Sequence, residues 1–215
     1  MKLASALDAI IGKGHRRPPV RTLSRPLRIG IVGAGKAGAY HLDALRGIEG
    51  AQPAFLVNRG SVRAAALAAR HGVGLVAADL AEALDKAPID AAIVAVPPAA
   101  TLATTLMLLE RGVPCLVEKP PGVSADEAVR LAAAAGTLPA TCIAFNRRFM
   151  TGPRRAYELA ARLPGIYAIH IEAPEPIDSL YQRRHKPDDE LRQWETVNSI
   201  HAVDLFTLFA GPASG

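Results

Sequence analysis

Between residues 27 and 145 the chain alternates short, continuously apolar runs with alanine-rich stretches of helical character. A run with no polar alternate needs cover on both faces, and the intervening helices can supply it. That combination predicts a parallel sheet sandwiched by helices. LRIGIVG (27–33), PAFLVN (53–58), a weaker stretch at 74–77, DAAIVAVP (90–97), VPCLVE (113–118) and ATCIAF (140–145) read as its strands. Helices are expected over 36–47, 62–72, 79–86, 99–111 and 124–135.

The first strand runs directly into GIVGAGKAGAYH (30–41), which fits G-x-G-x-x-G with Gly33, Gly35 and Gly38. A glycine motif that follows a strand and opens a helix has mechanical work to do. Gly33 permits the sharp turn, Gly35 lets a pyrophosphate approach the backbone, and Gly38 lets the helix pack closely on the strand. The helix N-terminus, with Lys36 and Ala37 between the glycines, offers unpaired N–H groups to phosphates. The other reading is a purely structural turn in an unrelated α/β fold. The fold class predicted is α/β: a Rossmann-type doubly wound parallel sheet over residues 27–145, followed by a truncated α+β second domain over 146–215.

Cofactor choice is read at the end of the second strand, where a carboxylate about 20 residues beyond the glycines would hold the adenosine ribose hydroxyls. Asn58 and Arg59 stand there instead, followed by Ser61 and Arg63. A guanidinium pairs with a 2′-phosphate, so NADP is expected over NAD. The alternative leaves Arg59 as a solvated residue opening a helix.

Charge and cysteine usage narrow the partners. The net charge of +5 is uneven, with Lys13, Arg16, Arg17, Arg21, Arg25 and Arg28 crowded among Pro18, Pro19 and Pro26. Residues 1–26 read as a flexible, solvated basic leader; a nucleic-acid arm is disfavoured because no aromatics are interleaved to stack bases. No apolar run approaches the roughly 20 residues that span a bilayer, and the N-terminus carries no secretory pattern. Cys115 and Cys142 lie in apolar runs without metal-like spacing and read as buried small hydrophobes in a reducing, cytoplasmic compartment.

Four stretches together go further: GAGKAGAYH, AVPPAAT (95–101), VEKPPGVS (117–124), and the segment FNRRFMTGPRRAYELAARLPGIYAIHIE after the sixth strand. From about Leu27 to Gly211 the chain resembles the glucose-fructose oxidoreductase and inositol dehydrogenase family, Gfo/Idh/MocA. The E-K-P element after the fifth strand is the most specific part of the likeness. The resemblance implies a nicotinamide-binding domain and a second domain, built on an open sheet, that closes over a sugar, polyol or related small molecule.

Carried onto this chain, Lys119 would hydrogen-bond the oxygen at the reacting carbon and move the proton that accompanies hydride transfer. Otherwise it is an ordinary lysine at a strand end. Glu118 would orient the loop or cofactor, Pro97 and Pro98 would shape the cofactor wall, and Pro120 would fix the turn. Of Arg147 and Arg148, one would reach the cofactor or an anionic substrate and the other would form an interdomain ion pair. The block of cofactor contacts is thus Gly33, Gly35, Lys36, Ala37, Gly38, Asn58, Arg59, Pro97, Glu118, Lys119 and Arg147, with no metal.

In a helix within 194–211, Ile200, Val203, Leu205, Phe206 and Leu208 give an apolar side, while His201 and Asp204 fall three apart and share a face. The resemblance implies that this His faces the substrate as acid/base or donor, with Asp204 also on the substrate side. The bland reading pairs the two on a packed helix.

Two departures stand out. Many family members carry an Asp four residues before the His, where this chain has Val197 beside Asn198. Family members also run well over 300 residues, and here only a lead strand (166–172), a polar loop (182–193, with His185) and the helix represent the second domain. Three readings follow: a shortened enzyme that dimerises, a cofactor-binding partner subunit without turnover, or a fragment of a longer oxidoreductase.

Overall fold

The computed structural model describes residues 24–60, 62–136, 140–174 and 195–211. The leader proper, the 182–193 loop and His185 lie outside them. Backbone contacts divide the chain into one unit from Leu23 to Ala144 and another that includes Phe145 onward.

The first unit holds six strands: β1 (Leu27–Val32), β2 (Ala51–Val57), β3 (Val76–Ala77), β4 (Ala91–Val94), β5 (Cys115–Val117) and β6 (Cys142–Ile143). They form one sheet in the order β3-β2-β1-β4-β5-β6, every pair parallel. The chain builds outward from β1 to β3, then returns to the other side of β1 for β4 to β6. This is the doubly wound topology, and its switch point lies between β1 and β4. Except for β2, which begins two residues before its run, the strands are shorter than the apolar runs that announced them, because only the residues in register with a neighbour join the ladder.

Five helices cover the sheet: α1 (Lys36–Leu45), α2 (Val62–His71), α3 (Leu80–Lys86), α4 (Pro98–Glu110) and α5 (Ala125–Ala135). The two-residue period of the strands sorts the core into two layers. Ile29, Ile31, Leu56 and Ile93 join Leu42, Leu45, Ala64 and Ala68 of α1 and α2. Val32, Phe55, Val57, Ala92, Val94 and Val117 join Leu80, Ala83, Leu108 and Leu109 of α3 and α4. Asp79 caps α3 through the Glu82 N–H at 2.9 Å, and Ser124 caps α5 through the Glu127 N–H at 3.2 Å, each meeting an orphan helix donor.

Two expectations need correction in this unit. Cys115 is buried, but Cys142 is exposed. It lies on the edge strand, where alternation turns Ile143 toward the core and Cys142 outward. Arg25 and Arg28, counted with the solvated leader, are tied down: both guanidinium groups and the Arg28 backbone N–H bond the Asp90 carboxylate at 2.7–3.3 Å.

The second unit contains a 3-10 turn (Asn146–Phe149), α6 (Thr151–Ala160), a π turn (Glu195–Ser199) and α7 (Ile200–Ala210). The expected lead strand at 166–172 does not form. A strand exists only as a ladder member, and among the described residues nothing pairs with it.

Candidate functional site

The glycine turn sits at the switch point and is fastened on both sides. The Gly33 N–H donates to the Val57 carbonyl at 2.8 Å, and the Ala95 N–H donates to the Val32 carbonyl at 2.8 Å. Gly33 has φ +111°, and a Cβ there would lie 2.1 Å from the Ala95 carbonyl oxygen. A Cβ on Gly38 would lie 1.9 Å from the Gly33 carbonyl oxygen, so α1 rests directly on the turn. Gly35 differs from both: a Cβ on it would meet nothing within 4 Å. Its missing side chain serves no internal contact and leaves the turn open at the end of α1.

Gly35 is the N-cap of α1 and the helix receives no side-chain cap there. The first N–H groups of the helix therefore point out of the end that Gly35 leaves open, an arrangement that suits a phosphate. Lys36 and Tyr40 lie on the exposed side of this helix, with the ammonium 5.7 Å from the ring centre. Ala37 is partly buried. These features fit a dinucleotide pyrophosphate.

Asn58, expected at the adenosine end, also braces the turn. Its Oδ1 accepts from the Ala34 N–H at 3.3 Å, and its own N–H donates to Ala77 at 2.9 Å. Arg59 follows it exposed to solvent. Pro97 is exposed at the N-cap of α4, and Pro98 opens that helix.

The end of β5 brings Glu118 and Lys119 to the same edge of the sheet. The Glu118 N–H still donates to the Val94 carbonyl at 2.8 Å, while its carboxylate reaches α1. Nε2 of His41 donates to Oε1 of Glu118 at 2.8 Å, and the two side chains are 19% and 24% exposed. Burial pushes the Glu118 carboxyl up, but the His41 bond and charge, with the neighbouring Lys119, outweigh it and hold the group below its ordinary value. The Lys119–Pro120 peptide is cis.

His41 was not singled out from the sequence. Its spacing from Gly38 places both on one face of α1, but its partner lies 77 residues away in the chain, and no local pattern announces that pairing.

In the second unit Arg148 is the ion-pair residue. Its Nε bonds both carboxylate oxygens of Asp204 at 2.7 and 2.8 Å, and its terminal nitrogen reaches the first of them. The expected interdomain pair is therefore a pair within one unit. Among the described residues Arg147 has no such side-chain partner. His201 is buried, with its ring edge-on to Phe145 at 6.2 Å between centres.

The buried line of α7 is His201, Asp204 and Leu208, so of the expected apolar side only Leu208 is fully buried. Val203 and Phe206 are exposed. Burial of the carboxylate is compensated by the bidentate guanidinium, and its helical period carries the polar pair inward. Val197 is buried in the π turn. Among the described residues no group of His, Cys, Asp and Glu could hold a metal ion, and no helix is long and apolar enough to cross a membrane.

Comparison with known proteins follows the same residues. Residues 27–145 match the family model described as an oxidoreductase family with an NAD-binding Rossmann fold. The chain is 28% identical over 192 residues to 4-carboxy-2-hydroxymuconate-6-semialdehyde dehydrogenase of a Sphingobium species, covering 86% of this chain and 59% of that protein. It is 36% identical over 141 residues to inositol 2-dehydrogenase of Leifsonia xyli, covering 64% and 41%. Among solved structures, GenD2 from gentamicin A biosynthesis, in complex with NAD, superposes with a TM-score of 0.71 at 25% identity over 90% of this chain and 56% of that one. The chain thus spans about half the length of these relatives.

Proposed function

Since the chain belongs to the Gfo/Idh/MocA oxidoreductase family, we propose that it is an NAD(P)-dependent dehydrogenase or reductase acting on a hydroxyl or carbonyl of a sugar-like, polyol or nucleotide-sugar substrate. The observation that carries the reading is the meeting, at one edge of the sheet, of the open glycine turn and the Glu118–Lys119 loop, bonded through His41. The nicotinamide cofactor supplies the hydride chemistry when bound.

The protein's share is binding, orientation and proton handling. Gly33, Gly35 and Gly38, with the N–H groups of Lys36 and Ala37, hold the pyrophosphate; Asn58 keeps the turn in shape; Pro97 forms part of the cofactor wall. Arg59, exposed where an acid would select NAD, favours NADP. Lys119 bonds the reacting oxygen and exchanges its proton. His201 is the second acid/base group, Arg147 reaches cofactor or an anionic substrate group, and Asp204 acts on the substrate side by setting Arg148. The residue ranges proposed are a basic leader to 26, a cofactor domain over 27–145 and a substrate or dimerisation domain from 146.

The two cysteines, outside any disulfide, favour the cytoplasm. A homodimer is the favoured assembly, because Leu163 and Tyr167 present apolar surface at 61% and 97% exposure. No nucleic acid or membrane partner is invoked.

Calorimetric titration with NADPH and NADH, with the mass in solution measured on the same sample, tests the cofactor reading. Micromolar binding favouring NADPH, with the preference lost in Arg59→Ala, is expected; a folded chain that binds neither cofactor overturns it. Buried Val197, in place of an acid, favours a second reading: a cofactor-binding partner subunit without turnover. Lys119→Ala separates the two, since full biological activity with intact cofactor binding would sink the enzyme reading.

A further inference from the structure

We propose that Tyr40 is a positioning residue whose ring keeps the Lys36 ammonium at the first turn of α1, where the charge serves the cofactor pyrophosphate. The inference rests on the reading of the glycine turn as a dinucleotide site. It adds a side-chain charge to a grip otherwise made of backbone N–H groups.

Lys36 is out of place in a helix that only has to fold. It is the first residue of α1, where the unpaired N–H groups make the helix end positive. A cation there opposes the dipole, and the first turn carries no acidic residue to offset it. Among the described residues no carboxylate pairs with the ammonium, whose neighbour is the Tyr40 ring, 5.7 Å away at its centre. Two positive features thus meet at one end of one helix. An anion with more than one charge answers both, and a pyrophosphate is such an anion. Gly35, with open space where a Cβ would be, leaves the helix end accessible to it.

Tyr40 is equally unsuited to a structural task. It is 61% exposed, while Gly38, Leu42 and Leu45 make the buried side of α1. Lys36 and Tyr40 stand at positions i and i+4 of the helix and so share one flank. A helical side chain leans toward the N-terminus, which brings the ring over the turn that begins at Lys36. The negative face of an aromatic ring attracts an ammonium at this range. Without the ring, the long lysine side chain samples many rotamers, and ordering it on binding lowers affinity. Tyr40 removes part of that ordering in advance.

Calorimetric titration of the whole chain with NADH and NADPH, which share the pyrophosphate, tests the pair through a double-mutant cycle. Tyr40→Leu is expected to weaken both cofactors about two- to fivefold, and Tyr40→Phe, which keeps the ring, to bind as the native chain does. Lys36→Met should weaken both by at least as much. Adding Tyr40→Leu to Lys36→Met should then change nothing further. Should Tyr40→Leu not fold, Tyr40→Gln carries the same expectation, because it too lacks a ring. Equal losses with and without the lysine would make Tyr40 a structural residue and overturn the proposal, as would a Tyr40→Phe chain as weak as Tyr40→Leu. A loss confined to NADPH would assign the ammonium to the 2′-phosphate and overturn it as well. A native chain that binds neither cofactor removes the dinucleotide reading itself, and the proposal with it.

Discussion

Residues up to Ala144 and those from Phe145 onward solve the same problem of burial by different means. The first unit stacks apolar side chains in two layers around a ladder, and its glycines matter because backbones touch. The second, in its described part, turns a histidine and an aspartate inward and leaves Val203, Phe206, Leu163 and Tyr167 outside. A layered sheet tolerates small changes in any one side chain, because many share the load. A unit that buries an ion pair depends on both partners at once.

The largest expected effect follows from that dependence. Arg148→Ala leaves the Asp204 carboxylate, 3% exposed, without its guanidinium, and should cost about 3 to 5 kcal/mol. Replacing both residues with leucine should recover most of the loss. Urea denaturation followed by circular dichroism reads both variants. A loss below about 1 kcal/mol for Arg148→Ala would place the pair with ordinary exposed ion pairs and erase the contrast between the units.

The glycine turn sharpens the contrast from the other side. Gly38→Ala forces a methyl group against a backbone oxygen and should destabilise by about 1 to 3 kcal/mol. Gly35→Ala places its methyl in open space, so stability should change by less than about 0.5 kcal/mol while NADH binding weakens, as titration calorimetry would show. Equal effects on stability from both would deny that one glycine serves the fold and the other the ligand.

How much of this was legible follows the same division. Continuous apolar runs and helical intervals are local signals, and each strand and helix of the first unit appeared where they pointed. The positions of the glycine turn and the Lys119 loop were legible because each lies at a strand end and a few residues beyond it. What escaped depends on partners distant in the chain. Residues 166–172 have a strand's composition, yet a strand is a relation to an edge. Cys142 shares its run with partly buried neighbours, but membership of an edge strand turned it outward. On α7 the apolar pattern ranked Val203 and Phe206 above Asp204, and only Arg148, 56 residues earlier, reverses that ranking. His41 belongs with these, since a helix position says nothing of a carboxylate on another strand.

The smallest expected effect concerns a place where the first unit also relies on charge. Asp90 gathers Arg25, Arg28 and the Arg28 N–H at the start of β1, with its side chain 20% exposed. Those bonds hold its carboxyl well below the ordinary carboxylate range. A folded-state value below the unfolded one, about 3.9, means that the unfolded chain binds the proton first. The stabilisation is then complete above about pH 5 and is lost as pH falls below the unfolded value toward the folded one. Solvent screens the pair, so the gain is modest. Melting temperature measured against pH for the native chain and Asp90→Asn should show two curves separated at neutral pH that converge on acidification. Curves that stay parallel down to about pH 3 would mean the arginines hold residues 24–28 without help from the charge.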